Sequence, residues 1–171
     1  AIEIGEIGVT DGALEFADQP VGTTGVNMPE RIDKLNASIG VTSDENALHV
    51  DIGHVSLRAH EPRLGINDLS GQITRTENQL HFDDVALRTE ESSLRVDGTV
   101  DNIEGKAAVL DNRASSGKLD VEEFGGIVSA LRGYLLQPAF EITAKGPADR
   151  LAVDLNARDE NLGNVIGDLT V

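Results

Sequence analysis

Four histidines, His49, His54, His60 and His81, are the side chains here best suited to binding a metal or moving a proton. Apolar neighbours at Leu48/Val50, Val55/Leu57/Ala59 and Leu80/Phe82 set them in period-two alternation, which turns all four toward a polar face. His54 and His60 could share that face, but six strand residues separate them by about 20 Å, too far to chelate one ion. Paired acids are numerous: Asp44-Glu45, Asp83-Asp84, Glu90-Glu91, Glu122-Glu123 and Asp159-Glu160. Adjacent acids in a strand point to opposite faces, whereas acid–base catalysis needs carboxylates converging across a cleft. The run from Asp97 to Asn102 is rich in oxygen ligands but lacks the twelve-residue calcium pattern with its terminal Glu. Ser115-Ser116-Gly117 is no nucleophile elbow, and Gly22-Thr23-Thr24-Gly25 lacks the Lys of a phosphate loop. The chain has no cysteine, so thiol nucleophiles, disulfides and thiolate zinc sites are excluded. We expect no enzyme, no metal and no cofactor.

The chain has 171 residues, with 14 basic against 30 acidic side chains and a net charge of −16. That balance counts against nucleic acid and anionic membrane surfaces as partners. Aromatics at 3% leave little to stack on bases, while a 39% apolar share is adequate for burial. No apolar run approaches the 20 or so residues of a membrane span, and Ala1-Ile2-Glu3-Ile4 opens in alternation rather than as a leader. Both ends stop in mid-pattern, so we read residues 1–171 as one β-rich segment of a longer protein. Sub-units are expected over 1–60, 61–110 and 111–171.

The elements that must carry these residues are strands. Alternation marks Ile7/Val9, Leu14/Phe16, Leu35/Ala37/Ile39/Val41, Leu48/Val50/Ile52, Val55/Leu57/Ala59, Leu80/Phe82 and Val85/Leu87. It resumes in Leu94/Val96, Phe140/Ile142/Ala144, Leu151/Val153/Leu155 and Val165/Gly167/Leu169. Turns are expected at Thr10-Asp11-Gly12, Asp18-Gln19-Pro20, Glu61-Pro62, Thr76 to Gln79, Asp83-Asp84 and Gly146 to Asp149. Pro20–Pro29 reads as a long loop, and about Asp111–Lys118 as an irregular patch. One helix is expected over Val121–Arg132, capped by Asp120 with Glu123 at N3 and carrying Phe124, Ile127, Val128 and Leu131 on one stripe. The fold class is therefore all-β, mainly antiparallel. Its apolar faces can close as a sandwich, as a barrel, or as a curved sheet with an accessible groove. An aliphatic groove suits acyl chains, at about 0.8 kcal/mol per methylene removed from water.

Three pieces in order carry a resemblance: Leu64–Ile73 with its Leu69-Ser70-Gly71, Leu80–Thr89, and Ser92–Val100. They are similar to the repeating β unit of the AsmA-like superfamily, above all its TamB-like branch. Phe140–Leu151, a strand ending in Gly146-Pro147 before a Leu-bearing strand, adds to it, and the likeness runs over roughly Leu35–Val171. The expected helix has no counterpart in the simplest repeats. The resemblance implies an elongated β structure whose hydrophobic groove guides phospholipid acyl chains between inner and outer membrane. It further implies a periplasmic segment of an inner-membrane-anchored protein that supports outer-membrane biogenesis with an Omp85-type barrel partner. At matching positions the lining would be Leu80, Phe82, Val85, Leu87, Leu94, Val96, Phe140, Ile142, Leu151, Val153 and Leu155, followed by Val55, Leu57, Leu69 and Ile73. A chaperone-like scaffold acting by β-augmentation and a plain β-sandwich are the alternative readings. Open strand edges also make edge-to-edge self-association an expectation.

Overall fold

A computed structural model describes residues 2–16, 25–105, 107–161 and 163–170. The alternating segments form ten strands: β1 (Ile2–Glu15), β2 (Arg31–Ser43), β3 (Ala47–His60), β4 (Leu64–Thr76) and β5 (Gln79–Thr89), then β6 (Ser93–Asp101), β7 (Val109–Ser116), β8 (Ala139–Pro147), β9 (Ala152–Asp159) and β10 (Gly163–Thr170). All ten join in one antiparallel sheet whose spatial order is the chain order, with β1 and β10 as its outer strands. Among the described residues there is no second sheet, so the arrangement is the open curved sheet rather than the sandwich or the barrel.

Strict alternation fails wherever two apolar residues stand three apart, as Ile52/Val55 and Phe82/Val85 do. The backbone absorbs each extra residue in a register shift, between Ile52 and Val55 in β3 and between Phe82 and Val85 in β5. A bulge keeps the apolar set on one face and bends the strand around it. Two expected turns prove to be such bulges. Asp11 and Asp84 take left-handed backbone (φ 50° and 49°) inside β1 and β5, so the chain continues instead of reversing. Beside the β5 bulge, Gly71 (φ 130°) would drive a Cβ to 2.6 Å from the Val85 Cα, and Gly98 (φ 138°) to 2.2 Å from the Asp111 carbonyl oxygen. Neither position has room for a side chain.

The patch expected to be irregular, Asp111–Lys118, is mostly β7. Asn112 and Ser116 stand where the other strands carry aliphatics, which hid the alternation with Leu110 and Ala114. The expected helix over Val121–Arg132 is also corrected: it is reduced to two single 3-10 turns, Glu122–Phe124 and Ser129–Leu131. The cap forms, since the Asp120 carboxylate accepts a 3.2 Å bond from the Glu123 amide. Propagation does not follow. Gly125-Gly126 carries a cost of about 1 kcal/mol per residue in a helix, and tertiary partners claim the next backbone groups. Val128 is extended (φ −108°, ψ 101°) and bridges to Val26. The expected turn at Asp18-Gln19-Pro20 and the first part of the Pro20–Pro29 loop lie outside the described residues.

Candidate functional site: an apolar trough with one strapped end

Register carries the apolar positions across the sheet in rows. One row reads Val41, Val50, Ile73, Phe82, Gly98, Asn112, Ala144, Val153 and Leu169 from β2 to β10. A second begins with Val9, Ala37, Val55, Leu69, Leu87 and Leu94. A third links Val85, Val96, Ala114, Ile142, Leu155 and Gly167. None of these positions is charged. At about 4.8 Å per strand the first row runs roughly 40 Å along the curved sheet. The wet face is equally regular, with Thr42, His49, Thr74, His81, Thr99, Asp111 and Lys145 in register.

Burial shows no layer sealing the apolar face among the described residues. Ala59, at 4% exposure, is the one buried apolar side chain among the described residues. Val55, Leu57, Leu69, Ile73, Leu80, Phe82, Val85, Leu87, Leu94, Val96, Phe140, Ile142, Val153 and Leu155 are half-buried in strands of this face. Leu151 is also half-buried but sits just before β9. Val41, Val50, Ile39 and Ile52 complete the floor. Their alternation was legible, but the resemblance that selected the lining residues weighed mostly the later strands. Two polar side chains share the floor on β7. The Asn112 Oδ1 and Ser116 Oγ atoms are buried without a hydrogen-bond partner, an interruption of the aliphatic surface near its middle.

A strap, residues 117–138, crosses one end of the trough. Its outgoing limb leaves β7 with the Lys118 carbonyl accepting from the Ser93 amide, and the Asp120 amide donates to the Ser92 hydroxyl at 2.9 Å. The Glu123 carboxylate then docks on the β5–β6 turn. It accepts hydrogen bonds from the hydroxyls of Thr89 and Ser92, both at 2.6 Å, and from the amides of Glu90 and Glu91 at 3.1 and 3.2 Å. Gly126 lies against Pro62 of the β3–β4 turn. Beyond it, the Asn27 amide donates to the Ile127 carbonyl and the Ser129 amide to the Gly25 carbonyl. The returning limb pairs with the first through Leu119 to Pro138 and Val121 to Leu136. The strap thus reaches from β7 to the β1–β2 connection, spanning the mouth of the curve. No sequence signal marked Thr89 or Ser92 as its anchor, because the contact joins residues more than thirty apart.

The chemistry-bearing side chains lie on the wet face or around the strap. His54 Nδ1 is 2.5 Å from Asp68 Oδ1, His60 Nε2 is 3.0 Å from Asp33 Oδ2, and His49 Nδ1 is 3.1 Å from Thr74 Oγ1. His49, His54 and His60 thus each pair locally, and among the described residues no three or more His, Asp or Glu side chains are grouped to hold a metal ion. Behind the strap a cavity of about 830 Å³ is lined by acids, with Lys118 and Arg158 among them. Most of those acids are committed. Asp120 accepts from Gln137 Nε2 at 2.6 Å, Glu122 from the Gly133 amide at 2.7 Å, and Asp159 from the amides of Gln137 and Asn161, both at 2.8 Å. The hydrogen bond to Glu91 raises the Lys118 ammonium above its ordinary pKa. Among the described residues no helix is long and apolar enough to cross a membrane. No protein family, curated protein or solved structure matches the chain.

Proposed function

We propose that the trough holds phospholipid acyl chains in transit, as a non-enzymatic periplasmic segment of an AsmA/TamB-like envelope protein. The observation that carries the reading is the inner face: apolar from β2 to β10 except at Asn112 and Ser116 on β7, free of charge in its central rows, and covered by no opposing sheet among the described residues. An acyl chain of about 14 methylenes that loses half its contact with water gains about 5–6 kcal/mol, before the cost of immobilising it. Binding of that order holds a lipid and also lets it go, which suits transfer rather than storage. In this reading the wet face, with its net negative charge, keeps the segment off anionic surfaces, and an outer-membrane barrel of the Omp85 type receives the parent protein.

The test is capture. Photo-crosslinking residues at Phe82, Leu87 and Val153 should trap phospholipid in cells, and the purified chain should take up lipid from bacterial extract. Failure of both sinks the proposal. A second reading, a scaffold that holds unfolded outer-membrane strands by β-augmentation, draws on β1 and β10, the outer strands of the described sheet. It predicts that crosslinkers on β10 capture polypeptide while those in the trough capture nothing.

A further inference from the structure

We infer that Asn112 is a polar station on the trough floor, where its amide N–H donates to the ester carbonyl of a bound acyl ester. The inference rests on the trough reading and narrows its ligand from acyl chains in general to acyl esters.

Asn112 sits in the middle of β7, in the row that joins Phe82, Gly98, Ala144 and Val153. Its carbonyl leans over Gly98, where an added Cβ would meet Asn112 Oδ1 at 2.6 Å. That oxygen is buried without a hydrogen-bond partner. Among the described residues no group accepts from the Asn112 amide nitrogen either. The amide group is planar and the residue half-buried, so an oxygen pressed toward β6 leaves the N–H edge facing the trough. An unpaired buried acceptor destabilises a fold and calls for a reason. Ser116, on the same face, is unpartnered too, but at 7% exposure its hydroxyl is covered and beyond a ligand's reach.

The neighbours select what Asn112 meets. Gly98, Ala114 and Ala144 surround it, so the floor dips where it is polar. Bulk returns on both sides, with Ile73 and Phe82 on β4 and β5, and Val153 and Leu155 on β9. The nearby positions of this face on β6 and β8 are Val96, Val100, Ile142 and Gly146, which bring no charge. A carboxylate or phosphate laid here would find no cation, and a plain alkane would leave the amide unpaired. An ester meets both conditions: its carbonyl accepts a hydrogen bond without carrying a charge, and its chain covers the aliphatic rows. Toward β2 the row continues through Phe82, Ile73, Val50 and Val41 for about 24 Å, room for one extended acyl chain.

The test compares two phosphatidylcholines of equal chain length, one ester-linked and one ether-linked, as displacers of a fluorescent fatty acid. The wild type should bind the ester lipid about fivefold tighter than the ether lipid, the worth of one neutral hydrogen bond. Asn112→Leu should remove that preference and leave the ether lipid bound no more weakly than before. Asn112→Ala, a smaller side chain, should remove it as well. Equal binding of the two lipids by the wild type overturns the inference and leaves the trough reading standing. A preference that survives in both variants does the same. A wild type that binds neither the fluorescent fatty acid nor either lipid overturns the two together.

Discussion

The Thr89 hydroxyl donates a 2.6 Å hydrogen bond to the Glu123 carboxylate and so ties the strap to the β5–β6 turn. Thr89 and Ser92 are 5% and 8% exposed, so without Glu123 two hydroxyls and two amides lose their acceptor in a partly dry site. Glu123→Ala should lower the unfolding free energy by about 2–3 kcal/mol, measured by urea denaturation. Hydrogen exchange should locate the loss, with faster exchange at the amides of Val121, Phe124 and Ile127 and none at Phe82. Uniform acceleration across the sheet would mean that the strap is not a separate unit.

Gly71 lets β4 pass close to β5, and Gly98 lets β6 pass close to β7, where the sheet bends. An added methyl at Gly98 would meet the Asp111 carbonyl oxygen at 2.2 Å, a backbone atom that cannot step aside. Gly98→Ala and Gly71→Ala should each cost roughly 2–4 kcal/mol, from the positive φ and the clash together. Gly8→Ala, where nothing lies within 4 Å, should change stability by no more than about 0.5 kcal/mol. Thermal unfolding of the three variants checks the order.

The strands were legible because their two faces differ: Leu48/Val50/Ile52 and Phe140/Ile142/Ala144 alternate cleanly, and both lie in the sheet. Asp11 and Asp84 were misread as turns because carboxylates are common in both turns and left-handed bulges, and only the partner strand decides which forms. The strap was misread as a helix for a related reason. Its cap and apolar spacing are local features, whereas the bonds that keep it extended run from Val128 to Val26 and from Ile127 to Asn27. The apolar face was readable in most strands, but not on β7, where Asn112 and Ser116 break the aliphatic alternation. That it lies open was not, since alternation is the same under a second sheet as under none.

Acid should act on the β2–β3 turn through Asp44. Hydrogen bonds from the amides of Asn46 and Ala47, both at 2.8 Å, hold its carboxyl below the usual pKa, and nearby His49 contributes in the same direction. A depressed folded-state pKa stabilises at full strength above the unfolded value and is lost as pH falls through the folded one. The stability difference between the wild type and Asp44→Ala should therefore be flat at neutral pH and shrink in strong acid. Urea midpoints along a pH series measure it. A difference that grows on acidification would contradict the turn's dependence on the ionised carboxylate.

Phe82 and Val153 stand in one row of the trough floor, with Gly98, Asn112 and Ala144 between them. Both are half-buried, so aspartate at either site keeps partial hydration. Each substitution should then cost less than about 2 kcal/mol, well under the price of a charge in a sealed core. Ligand binding should suffer far more, because an acyl chain laid along the row must desolvate the new carboxylate. The double variant Phe82→Asp/Val153→Asp should weaken a fluorescent fatty acid by at least about tenfold, or 1.4 kcal/mol. Repulsion from a carboxylate headgroup could mimic this, so the control is Thr99→Asp/Ala152→Asp, which adds the same charge to the wet face at neighbouring register. Equal weakening by the two pairs would mean that net charge, not the lining, governs binding. Loss confined to the Phe82/Val153 pair places the acyl chain in the trough.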